Sequence, residues 1–264
     1  MNIFQFTDDL DYDKEYKYNI LVYPNITYMR DLEKDSYVVV LRNVIKELNK
    51  TSWGRMIHWT ILSPYEVKSL IFENTEQLPI ELPSYPNAMR THFNHKQLIK
   101  TIDWKNKDYD LIYSHLPEHT LQLSNMFVNE TNINPKFIGY CHWYEVPENT
   151  AYAKSMLMHN IAGTLEMEEC GVNTKWLKDL IIEKSKKIYT KDVTDRLEKI
   201  IQPHYLGVDD ISIGHKHKPK TILFNHRDNE YTGYTWFVKQ MDSLWEKRQD
   251  FKVYTTLTDL DRPY

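Results

Sequence analysis

Arg227 is the residue whose chemistry is simplest to state. It stands in Phe224–Tyr234, FNHRDNEYTGY, between an apolar run and an amphipathic stretch. The first peptide N–H groups of a helix have no partner inside the helix and attract anions. A guanidinium beside them grips a phosphate through two parallel hydrogen bonds. A strand-end loop that carries Arg227 towards a helix is therefore a candidate phosphate clamp. The same position also suits an ordinary exposed loop arginine.

Three other segments place polar side chains just after apolar runs. Asn25, Thr27 and Arg30 lie in PNITYMRD, after YNILVY. Ser114, His115 and Glu118 follow YDLIYS, and His142 and Glu145 follow KFIGYC. In an open parallel sheet, ligands bind outside the carboxyl ends of the strands, so all of these are positioned to reach one. Each also has a plainer reading: a structural histidine, a solvated carboxylate or a surface arginine. His215 and His217 lack a third ligand at metal-site spacing and read as part of a linker. Glu166, Glu168 and Glu169 read as a solvated helix face. Asp259 and Asp261, in DLD, carry little weight so close to the end of the sequence. Cys141 has no readable base to activate it.

The elements that must position these residues alternate in type. Tyr18–Tyr23, Met56–Leu62, Tyr109–Ser114, Lys136–Cys141 and Lys187–Thr190 read as short buried strands. Between them, Ser36–Asn49, Pro64–Phe72, His92–Ile102, Pro117–Val128 and a stretch from Ala151 to Ile182 read as helices. Asp192–Ile201 follows as one more, capped by Thr190 or Asp192. Alternation of this kind predicts an α/β fold, a Rossmann-like parallel sheet covered on both faces. Residues 207–218 are polar and read as a linker. Beyond them, Thr221–Asn225, Tyr234–Lys247 and Phe251–Thr255 predict the start of a second β-α-β series. The expected organisation is thus a first domain over residues 1–206 and the opening of a second over 219–264.

Bulk properties narrow the classes. The chain has 264 residues, enough for one large or two small domains with a real core. A formal net charge of -4 does not demand a nucleic-acid partner, although it leaves room for a local basic cleft. Two cysteines are too few for a disulfide framework, which predicts a reducing, cytoplasmic setting. No apolar run approaches the roughly 18–20 residues of a membrane span. The acidic, aromatic residues from Met1 to Tyr18 do not read as a signal peptide.

The segment FNHRDNEYTGYTWFVKQM resembles the opening of the donor-binding domain in GT-B glycosyltransferases related to family four. In that pattern a strand ends in an Arg, and a Lys-Gly pair heads the following helix. Arg227 matches the Arg, Gly233 matches the Gly, and Thr232 stands where the Lys is expected. IYTKDVTDRL resembles the last strand and helix of the first GT-B domain. PHYLGVD resembles the crossing into the second, with Leu206 in place of an Asn.

The resemblance implies a GT-B fold whose nucleotide-sugar diphosphate is held by Arg227, Thr232 and Gly233. It also implies that His142 contacts the donor sugar and that Glu145 faces sugar or acceptor hydroxyls. The related family is retaining and metal-independent, so neither a cofactor nor a metal is expected. The acceptor would be a glycan or, for a phage-encoded chain, hydroxymethylated DNA.

The competing expectation is a non-catalytic Rossmann-like binding module or subunit, with a partner chain or self-association covering the second series. A two-stranded sheet is not stable by itself. A dehydrogenase or methyltransferase is disfavoured because the first strand is not followed by a Gly-x-Gly-x-x-Gly turn.

Overall fold

The computed structural model describes residues 16–26, 32–81, 93–102, 107–131, 134–141, 144, 151–205, 220–225 and 233–255. The chain divides into two compact units, Met1–Gly207 and Val208–Tyr264.

The first unit is built on a seven-stranded sheet. Its strands are β1 (Tyr18–Tyr23), β2 (Ile57–Ser63), β3 (Thr75–Pro79), β4 (Leu111–Ser114), β5 (Lys136–Cys141), β6 (Glu169–Val172) and β7 (Ile201–Pro203). The spatial order is β3-β2-β1-β4-β5-β6-β7, and every pair is parallel. The fold is therefore α/β and Rossmann-like. Its helices are α1 (Ser36–Leu48), α2 (His95–Thr101), α3 (Pro117–Thr131), α4 (Ala151–Thr164), α5 (Lys175–Ser185) and α6 (Lys191–Ile200).

Alternation along the strands sorts the core into two layers, because successive side chains leave a strand on opposite faces. On one face Ile20 and Val22 of β1 join Trp59, Ile61 and Leu111, covered by Val38, Leu41 and Ile45 of α1. On the other, Leu21 and Tyr23 join Ile112, Phe137 and Val172 beneath α2 to α6. Burying one Leu, Ile or Phe contributes about 1.5–3 kcal/mol, so the two layers fix the register of the whole sheet.

Local signals explain the helix starts. Asp35 caps α1 by accepting from the Tyr37 amide at 2.9 Å, and Thr174 caps α5 by accepting from the Leu177 amide at 3.1 Å. Pro117 opens α3, where a missing N–H costs nothing. Thr190 is the N-cap of α6 but makes no side-chain capping bond. α3 and α4 approach closely at Gly163, where a Cβ would come within 1.6 Å of the Pro117 carbonyl oxygen.

Several sequence expectations shift. Residues 187–190 form a turn rather than a strand, while β6 lies inside the stretch expected to be helical. β3 and β7 were not anticipated, and only Lys68–Leu70, a single 3-10 turn, forms where a helix over Pro64–Phe72 was expected.

The second unit contains β8 (Thr221–Phe224), α7 (Tyr234–Lys247) and β9 (Lys252–Thr255). β8 and β9 pair in parallel. Phe224 stacks on Phe237 of α7 at 4.6 Å between ring centroids, and Trp245 meets Phe251 edge-on at 5.3 Å. Among the described residues, no helix is long and apolar enough to cross a membrane.

Candidate functional site

The strand order reverses between β1 and β4. β2 and β3 lie to one side of this pair and β5 to β7 to the other. The connections leaving β1 and β4 thus diverge, and in open parallel sheets such a switch point is where ligands bind. Tyr23 and Ser114 are the last residues in register, and the His115 amide extends the ladder by donating to the Tyr23 carbonyl at 2.9 Å.

Two residues singled out from the sequence lie on these adjacent strand ends. Asn25 is only 8% exposed, and its Oδ1 has no hydrogen-bond partner among the described residues. A buried amide oxygen without a partner is costly, on the order of 1–3 kcal/mol, and such groups concentrate where a ligand supplies the missing donor. His115 is fully buried between two rings. Tyr37 lies 4.7 Å away at 33°, and Tyr113 lies 4.9 Å away edge-on. The start of α1 is thereby held against the end of β4.

The first turn of α3 adds groups that the sequence reading either left out or mentioned only by position. Glu118 is buried and accepts from Nδ2 of Asn160 in α4 at 2.8 Å. An acidic side chain in the first turn also complements the helix dipole. His119 Nδ1 lies 3.0 Å from the Tyr23 hydroxyl, and the Phe93 ring meets the imidazole edge-on at 5.5 Å. Burial first, and then the Glu118 carboxylate, push the Tyr23 hydroxyl far above its ordinary range, so Tyr23 stays protonated. It can donate to His119 or accept from it according to the imidazole tautomer. Ser114 Oγ accepts from the Leu116 amide at 3.2 Å and fixes the turn into α3.

The arrangement can do several things. It presents an amide oxygen, a neutral phenol, two imidazoles and a carboxylate around one strand switch, next to the amino end of a 15-residue helix. These are groups that orient polar ligands and shuttle protons. The sequence places Glu118 at the strand edge; the residue missed is His119, next to it on the opening turn of a helix that follows a strand.

In the second unit, Gly233 is the N-cap of α7. Its backbone is left-handed, with φ 75°, no side-chain cap bonds to the helix start, and among the described residues nothing lies within 4 Å of where a Cβ would be. The Phe237 amide donates to the Gly233 carbonyl at 2.8 Å, which closes the first turn. Thr27, Arg30, His142, Glu145, Arg227 and Thr232 lie outside the described residues. Cys141, directly before His142, is the last residue of β5, and Asn225, two positions before Arg227, follows β8.

No family model matches the chain, and no curated protein matches it.

Proposed function

We propose that the chain is a glycosyltransferase of the GT-B type, taking a sugar from a nucleotide-diphosphate donor. The observation that carries this reading is Gly233. A left-handed glycine caps a 14-residue helix that follows a parallel strand, and no described residue crowds its α-carbon. A donor diphosphate needs such close backbone approach, with unoccupied N–H groups at the helix start. The reading also draws on the resemblance of FNHRDNEYTGY to the family's diphosphate loop.

In this account Arg227 neutralises charge that builds on the departing diphosphate. Each tenfold gain in rate requires about 1.4 kcal/mol of extra transition-state stabilisation. Thr232 replaces the second cation of the pattern by a hydroxyl, so the clamp relies on one guanidinium. His142 contacts the sugar and Glu145 sugar or acceptor hydroxyls, Asn25, Thr27 and Arg30 reach donor phosphate or acceptor, and His115 lies at the substrate edge of the sheet. The transfer is retaining and needs no metal. The acceptor is a glycan or hydroxymethylated DNA.

One observation favours a second reading, a binding subunit completed by another chain. Leu223 is 60% exposed and Tyr254 49% exposed on neighbouring strands β8 and β9. An uncovered pair of apolar side chains on a two-stranded sheet is a surface that association would bury.

A thermal-shift screen of the full chain against UDP-, GDP- and ADP-sugars separates the two. Stabilisation by one donor, growing with concentration as RT ln(1 + [L]/Kd), supports the transferase. No shift with any donor, together with a concentration-dependent oligomer, supports the subunit.

A further inference from the structure

A separate cavity of about 340 Å³ lies on the sheet face that carries α1. It is lined near the amino ends of β1, β2 and β4, at the other end of β1 from Asn25. Its floor is apolar, formed by Ile20, Trp59, Leu111 and Ile138 from four neighbouring strands. These positions share one face because strand side chains alternate. Among the described α-helices, α1 alone contributes to this core layer, joined by Leu32 and Leu70 of two 3-10 turns.

Polar groups gather on the rim. His204 Nε2 and Glu169 Oε1 are 2.8 Å apart, so each answers the other. Asp110 also lines the cavity. Its Oδ2 accepts the Asn19 amide at 2.8 Å, and its Oδ1 has no partner among the described residues. Asp110 and Glu169 are the carboxylates among the lining residues, Glu169 is paired with His204, and the Lys17 ammonium lies 5.7 Å from the ring of Tyr18, another lining residue. An apolar chamber of this size with a few placed polar groups is the usual form of a small-molecule site.

We infer that this cavity binds a small molecule with an apolar or aromatic body and a cationic amine head. The body fills the space over Leu111 and Ile138, and the head meets Asp110. The inference does not depend on the glycosyltransferase reading, since among the described residues Asn25, His115 and Gly233 of that reading do not line the cavity.

The test uses the full chain with 3-phenylpropylamine and, as its charge-reversed counterpart, 3-phenylpropionate. The readout is the indole N–H resonance of Trp59, assigned with Trp59→Phe. That N–H is buried and has no hydrogen-bond partner among the described residues. The amine is expected to shift the resonance saturably, and the carboxylate to bind about two- to fivefold more weakly, the scale of one exposed ion pair. Ile138→Trp fills the chamber and is expected to weaken the amine by at least about tenfold, as overfilled cavities exclude ligand. Asp110→Asn keeps an acceptor for the Asn19 amide and is expected to erase the preference for the amine, so the inference stays testable if the tryptophan variant fails to fold. It is overturned by absence of a saturable shift, by equal binding of the two probes, or by a preference unchanged in Asp110→Asn. A self-associated chain whose dilution alone reproduces the Trp59 shift also overturns it, because the occupant is then a second copy.

Discussion

The Tyr23 hydroxyl lies 3.0 Å from Nδ1 of His119, joining the end of β1 to the first turn of α3 across the point where the strand order reverses. Both groups are buried. Tyr23→Phe keeps the ring and removes the bond. The expected loss is about 1–2 kcal/mol, since one buried polar partner is left behind. Urea denaturation should show a lower midpoint with an unchanged slope, and a midpoint equal to that of the wild type would remove this bond from the stability account.

Gly163 fixes the approach of α4 to α3. A methyl group there would meet the Pro117 carbonyl oxygen at 1.6 Å, a backbone atom that cannot swing aside. Gly163→Ala is expected to destabilise the first unit by about 3 kcal/mol or more, at the severe end of overpacking, despite alanine's higher helix propensity. Thermal unfolding checks this, and an alanine variant as stable as the wild type would mean the two helices separate freely.

Alkaline pH should weaken the fold in a defined window. Burial pushes the Cys170 thiol from about 9 up to about 12, and burial pushes the Tyr140 hydroxyl from about 10 up to about 12. Between those values the unfolded chain has released these protons while the native chain keeps them. Unfolding then releases protons, so stability is full below about pH 9 and declines as pH rises towards 12. Cys170→Ala should flatten the part of that decline that begins near pH 9. Midpoints recorded from pH 8 to 11 provide the comparison, and identical slopes for the two proteins would count against a buried thiol at this position.

Much of the first unit is legible in the sequence because its central strands are short apolar runs bounded by proline or polar residues. Lys136–Cys141 coincides with β5, and the run from Tyr18 coincides with β1. The edges are harder. β3 reads TEQLP and β7 reads IQP, with half-covered polar positions and proline at the end, so neither shows a buried-strand pattern. β6, ECGV, is four residues long and sits just after a helix, so periodicity alone merges the two. At the strand switch, Asn25 and His115 follow from their places after apolar runs. The pairing of Tyr23 with His119 does not, because it joins residues 96 positions apart. Glu118 with Asn160 is hidden for the same reason, as that contact exists only once α3 and α4 pack at Gly163.

His142 immediately follows β5, so its role can be separated from donor affinity. If it supports the reacting centre, His142→Ala should lower turnover by roughly 10²-fold or more while donor affinity changes little, the pattern of an interaction made mainly in the transition state. Equal losses in turnover and affinity would assign it to ground-state binding.

In the proposed transferase a donor diphosphate is caught at the start of α7, with Arg227 supplying the positive charge. The most direct measurement is the 31P spectrum of the bound donor identified by thermal shift. Wild-type chain should move both phosphate resonances saturably, Arg227→Ala should abolish that movement, and Gly233→Ala should weaken it because alanine is strained at φ 75°. Phosphate resonances that move equally with wild type and Arg227→Ala, or that do not move with any nucleotide sugar, would contradict the account.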